Sequence, residues 1–155
     1  RQLPQEEAWA LLTQGTYGVL SVVGDEGWPY AVPMHYTVMD GQIYLHCAKT
    51  GYKLDAIARD DRVCFTVTLR EELVQDHATS LYESVVVLGR AALVTDQATH
   101  QAALAHLVDA LGRVSPDLRD QYIARRGQNT AVLVIRPIHL TGKAKRDFRP
   151  IQQRM

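Results

Sequence analysis

Apolar and polar positions change their period several times along the chain, and each change marks an element. Between Gln5 and Gln14, Ala8, Trp9, Leu11 and Leu12 recur among polar residues. That spacing predicts a short amphipathic helix beginning after Pro4 and stopping at Gly15. Tyr17 to Val23 is β-branched and aromatic, and Asp25-Glu26-Gly27 follows as a turn. Trp28 to Val38 reads as a long strand that contains Pro29 and Pro33. Each proline removes a ladder donor, which implies an edge, a bulge, or backbone facing a ligand instead of a neighbouring strand. Asp40-Gly41 is the strongest hairpin signal, because both central residues of a tight hairpin turn take positive φ. Gln42 to Cys47 then returns as a third strand.

Gly51 to Arg59 predicts a helix with Thr50 as N-cap and Leu54, Ile57 and Ala58 as its apolar stripe. Arg62 to Leu69 alternates with period two, and the polar stretch Glu71 to Ser80 reads as a loop. Ser84 to Val94 is a long Val-rich strand with a bend expected at Gly89. Gln97 to Leu111 predicts a helix with Ala98, Ala102, Leu104, Leu107, Val108 and Leu111 inward. After Ser115-Pro116 a shorter helix runs to Arg125, and Gly127 ends it. Thr130 to Leu140 is the last strand, and Lys143 to Arg149 reads as a basic tail. No internal repeat, low-complexity stretch or linker interrupts the sequence. Six strands, hairpin-joined early and interrupted by helices, predict a mainly β fold: an antiparallel barrel with flanking helices, in a single domain over residues 1–155.

Charge narrows the classes of partner. The 17 basic and 17 acidic residues balance, so no long-range field favours nucleic acid or an anionic membrane. No run of about 18 apolar residues predicts a membrane span. Cys47 and Cys64 form no paired motif and read as reduced thiols of a cytoplasmic protein. The chain opens at Arg1 rather than Met, which leaves room for residues before it, and it shows no apolar signal segment. GxGxxG after a strand, GxxxxGK[ST], GxSxG, HExxH and CxxC are all missing, which argues against the nucleotide, hydrolase and zinc sites they mark. His100 and His106 fall on different faces of the long helix, and His77 lies in the polar stretch. None of the three reads as a metal ligand.

His46-Cys47-Ala48-Lys49-Thr50-Gly51-Tyr52-Lys53 stands out. It sets a strand end, a turn with glycine and a helix start in order. Unpaired N–H groups at a helix start favour an anion, and Lys49 and Lys53 add two cations suited to a dianionic phosphate. The same lysines also fit solvated charges flanking an ordinary cap. One strand earlier, Pro33-Met34-His35-Tyr36 is expected beside His46 across the Asp40-Gly41 hairpin. A proline-interrupted strand leaves backbone groups free for the edge of a planar ring, and a flavin presents such an edge. Read as an ordinary strand, His35 and Tyr36 are one exposed and one core residue.

Four runs then align in order: Gly27 to Met34, Asp40 to His46, Gly51 to Ile57 and Asp61 to Phe65. With Ser84 to Ala91 and Leu140 to Lys143, this set resembles the pyridoxamine 5′-phosphate oxidase-like FMN-binding split barrels. It is most similar to their branch of nitroimidazole-resistance proteins (nitroimidazole reductases). The resemblance spans Gly15 to Lys143 and implies a homodimer with FMN at the subunit interface. It implies that Pro33, Met34, His35 and Tyr36 line the flavin ring largely through backbone. His46 and Cys47 would lie beside the ribityl chain or ring, while Tyr52 and Lys53, with Lys49, Thr50 and Gly51 around them, hold the phosphate. Tyr82, Glu83 and Ser84 would come from the partner subunit. Tyr52 stands where the oxidases proper carry an arginine, which removes a bidentate phosphate partner. Their C-terminal Trp and Arg are not evident in Arg146-Asp147-Phe148-Arg149, so vitamin B6 oxidation is not expected. The implied activity is reduction of a small planar acceptor, with His46 or His35 as proton donor. The alternatives are a flavin carrier or sensor without turnover, and a haem- or deazaflavin-binding relative.

Overall fold

The computed structural model describes residues 1–147. Six antiparallel strands close into a barrel in the order β1-β2-β3-β6-β5-β4, where β1 is Tyr17–Val23, β2 Pro29–Met39, β3 Gln42–Ala48, β4 Arg62–Val74, β5 Thr79–Leu93 and β6 Thr130–Lys145. The helices are α1 Gln5–Gln14, α2 Tyr52–Arg59, α3 Gln97–Ala110 and α4 Pro116–Arg126. Among these residues no helix is long and apolar enough to cross a membrane.

Period-two patterning builds the core, since alternate side chains share one face. Leu20 pairs with Phe65, Phe65 with Val87 and Val87 with Leu140. All four are buried, so they form one level of the barrel interior. Helix α1 closes one end with Ala8, Leu11 and Leu12. It approaches β6 so closely that a Cβ on Gly142 would come within 2.7 Å of the Ala8 Cβ. Tyr36 joins the two units: its ring meets Phe65 edge-on at 5.0 Å, and its hydroxyl donates to the Leu12 carbonyl at 2.5 Å. That carbonyl belongs to the last turn of α1, where no intrahelical donor remains. Helix α3 packs outside, where Tyr44, Ala103, Leu104 and Val132 form a second apolar cluster.

Several sequence expectations shift by a few residues, each for a physical reason. The N-cap of α2 is Gly51 at φ 146°, not Thr50, and no side chain caps the helix. The buried arc of α2 runs through Leu54, Ile57 and Ala56, so the helix is rolled away from the exposed Ala58. On α3 the buried arc holds Ala103, Leu104 and Leu107, while Ala98, Ala102 and Leu111 are exposed. His100 sits within that arc, its Nε2 2.7 Å from the Thr130 carbonyl. Alanines carry too little apolar area to set a helix face, and a partnered histidine can lie on the buried one.

Glu71 to Ser80 is not a loop. β4 and β5 stay paired as far as Val74–Thr79, beyond the reach of β1, so this arm meets solvent on both faces and loses the alternating pattern. The bend at Gly89 is a register shift between Leu88 and Gly89. Lys143 and Lys145 belong to β6, paired with Ser84 and Tyr82. Phe148 and Arg149 of the expected basic tail lie outside the described residues.

Replacing Tyr36 by Phe strands the Leu12 carbonyl in the core and lowers stability by about 1–2 kcal/mol. Urea unfolding should show a lower midpoint with an unchanged slope.

Candidate functional site

The barrel opens where β2 and β3 part. Their ladder runs from Met39–Gln42 only to Tyr36–Leu45. β2 stays paired to β1 from His35 back to Pro29, while β3 stays paired to β6 out to Ala48–Thr130. The two strands are pulled to opposite sides beyond that point. The Tyr36 N–H donates to Thr16 on the β1 side, so by strand alternation Pro29, Ala31 and Pro33 direct their backbone toward the open side. Both prolines thus lack a donor where no ladder needs one. The edge reading of these prolines describes this half of β2.

A cleft of about 570 Å³ lies at the opening. Pro33, Met34, His35, His46, Cys47 and Lys53 line it, together with Tyr17, Val32, Ala48, Asn129 and Thr130. The sequence reading named the first six. It missed Tyr17, which pairs with His35, and Thr130, which pairs with Ala48. These residues enter through register, and no local motif marks them.

The other expected residues lie elsewhere in the chain. Tyr36 alternates inward, so its side chain belongs to the barrel core. Lys49 lines a separate groove of about 580 Å³ with His100 and Gln128, on the α3 side. Thr50 and Gly51 are exposed in the turn before α2. Tyr52 faces away from the cleft: its hydroxyl accepts the Asp25 N–H at 2.8 Å, and its ring meets Tyr30 at 4.8 Å. Consecutive helix residues point about 100° apart, so anchoring Tyr52 against the β1–β2 connection leaves Lys53 turned to the cleft. Tyr82, Glu83 and Ser84 do not line the cleft of their own chain, and the Glu83 carboxylate accepts from Arg146.

Charge in the cleft is asymmetric. Burial lowers the His46 pKa, and repulsion from His35 lowers it further. His46 is therefore a neutral imidazole at neutral pH. Burial pushes the Cys47 thiol up, while the Lys53 ammonium partly offsets this, so Cys47 remains a thiol. His35 Nδ1 lies 3.1 Å from the Thr16 carbonyl. A carbonyl only accepts, so Nδ1 carries a proton in this contact. Tyr17 packs tilted on its ring at 4.7 Å. At the start of α2, Leu54 and Asp55 donate to the Gly51 carbonyl, leaving the preceding Tyr52 and Lys53 N–H groups without a helical acceptor. The chemistry on offer is an anion contact at Lys53, two ring nitrogens and an open strand edge.

The sequence profile described as pyridoxamine 5′-phosphate oxidase matches residues 4–144. The chain belongs to this family. No curated protein matches it. Among solved structures, it resembles a candidate 5-nitroimidazole antibiotic resistance protein from Bacteroides thetaiotaomicron, with 22% identity over 93% of this chain and 86% of the other (TM-score 0.75). It also resembles an FAD-binding protein from Mesorhizobium loti, with 23% identity over 94% and 97% (TM-score 0.69). A third is the flavocytochrome Anf3 from Azotobacter vinelandii, with 22% identity over 96% and 72% (TM-score 0.73). At these identities the likeness is one of fold: the split barrel of the pyridoxamine 5′-phosphate oxidase family.

In this family member the folded state takes up the His46 proton less readily than the unfolded chain. Stability therefore falls as pH drops below the ordinary histidine value of 6.5. An NMR titration should place the His46 midpoint below 6.5, and His35→Gln should raise it part of the way back. A midpoint at or above the ordinary value in the native chain would contradict the burial argument.

Proposed function

We propose that the cleft between β2 and β3 binds FMN and that the protein is a flavin-dependent oxidoreductase acting on a small planar acceptor. The observation that carries this reading is the open β2 edge facing a cleft that also holds Lys53. Backbone of Ala31 and Pro33 suits the alternating donor and acceptor edge of a flavin ring. Lys53 and the uncapped start of α2 suit its phosphate, with no arginine to share the charge. Solved relatives of the same fold include FAD-binding proteins and a flavocytochrome, which supports a flavin. When bound, the flavin would supply hydride or single electrons. His46, neutral and half-buried, and His35, which lines the same cleft, are the groups that would manage protons beside it.

The reading includes a homodimer. On the outward face of β1, β4 and β5, Val19 pairs with Thr66 and Thr66 with Val86, and Val19 is exposed. Val86, Leu88 and Ile138 are exposed there and on neighbouring β6. Tyr17, at the lip of the cleft, begins the same face. A second copy docked on this face would bring its own Tyr82–Ser84 segment toward the cleft, in the role expected for those residues.

Mass spectrometry of the ligand released from native protein should find FMN; FAD, haem or no ligand would each contradict the proposal. Lys53→Ala should weaken FMN binding about tenfold to a hundredfold in fluorescence titration, and unchanged affinity would mean the phosphate lies elsewhere. Light scattering should give a dimer that Leu88→Lys converts to a monomer. A native monomer that still binds flavin would sink the shared-interface arrangement.

A further inference from the structure

His46 has a second exposed side. Besides the flavin cleft, it lines a separate bay of about 360 Å³ between α3 and α4. Leu104, Leu107, Val108, Leu118 and Ile123 belong to the bay's wall, and among the described residues no charged side chain lines it. The Thr130 hydroxyl already donates to the Arg126 carbonyl at 2.9 Å, which leaves the His46 imidazole and the Tyr122 hydroxyl as the polar side-chain groups of the lining for an occupant. Arg119 and Asp109 pair at 3.0 Å between the two helices and hold them in place. The Arg126 guanidinium, which is not part of the lining, sits 5.6 Å over the ring of Tyr122.

We propose that this bay binds a neutral, mainly apolar ring compound, a polar atom of which meets the His46 imidazole. An ion would lose its hydration with no counter-charge in the wall, so charged ligands are excluded. At about 30 Å³ per water-sized group, the volume suits about a dozen non-hydrogen atoms, the size of a bicyclic ring. An occupant would lie across the imidazole from the flavin cleft. This deepens the flavin reading by giving the acceptor a class, and it rests on that reading only for the occupant's role, not for its binding.

The test uses 2,3-dimethyl-1,4-naphthoquinone, which is neutral, bicyclic and substituted at both carbons where thiols would add. Titrated into full-length protein with ¹³C-labelled methyl groups, it should saturably shift the Leu104, Leu107 and Leu118 methyls, both with and without FMN. Leu118 is exposed at the rim, so Leu118→Trp should fold and fill the mouth. The variant should weaken probe binding at least tenfold and leave FMN affinity unchanged. Leu111→Trp, also at an exposed rim position, provides a second variant with the same expectation. Shifts confined to Val32, Met34 and Ala48, displaced by added FMN, would overturn the proposal. So would wild-type probe affinity in both variants. If FMN does not bind while the bay methyls still shift, the bay assignment stands and the flavin reading falls.

Discussion

The end of the β2–β3 ladder at Tyr36–Leu45 is the constraint on which the rest of this structure depends. On one side of it the barrel is closed by ordinary pairing. On the other, β1 holds β2 and β6 holds β3, so the two strands diverge with their edges facing a cavity. Tyr36 sits at that fork and cannot slide. Its ring is locked against Phe65 and its hydroxyl satisfies the last turn of α1. A one-residue slip of β2 would put this tyrosine outside and His35 in the core. The same inward anchor therefore sets which residues of β2 face the cleft.

Electrostatics follows from that geometry. Both strands carry a histidine at the fork, and charge on His35 adds to burial in disfavouring the protonated form of His46. Lys53 reaches the cleft because Tyr52 is held against the β1–β2 connection, where Arg59 also pairs with Asp25 at 2.7 Å. Tyr52 is thus a positioning residue for its neighbour, and Lys53 is the lysine that lines the cleft. The neutral imidazole lies between two unlike cavities, one with a cation and an open strand edge and one lined, among the described residues, by no charged side chain. In the proposed arrangement a polar cofactor and an apolar ring compound would be held apart by one side chain.

Much of this was legible along the chain. Period two in Tyr17–Val23 and Arg62–Leu69 states which side chains fill a barrel, because a strand with one buried face must alternate. Asp40-Gly41 takes φ values of 52° and 71°, as a tight hairpin turn requires. Pro29 and Pro33 mark an unpaired edge because they have no N–H to give. Where solvent reached both faces of the β4–β5 arm the pattern vanished, and a paired hairpin read as a loop. Where alanines stood in for a helix face, as at Ala98 and Ala102, too little area was at stake to set the orientation.

The sequence by itself determined the alternation that builds the barrel, the hairpin, the proline-marked edge and the lysine-bearing helix start, because each is a property of residues a few positions apart. Only the tertiary structure decided that Lys49 and Lys53 face different cavities, that Tyr52 turns away from the cleft and that Tyr17 and Thr130 turn toward it. It alone placed His46 between the cleft and the α3–α4 bay. Those outcomes depend on strand register and on how helices roll against the sheet, and both are settled by contacts between segments far apart in the chain.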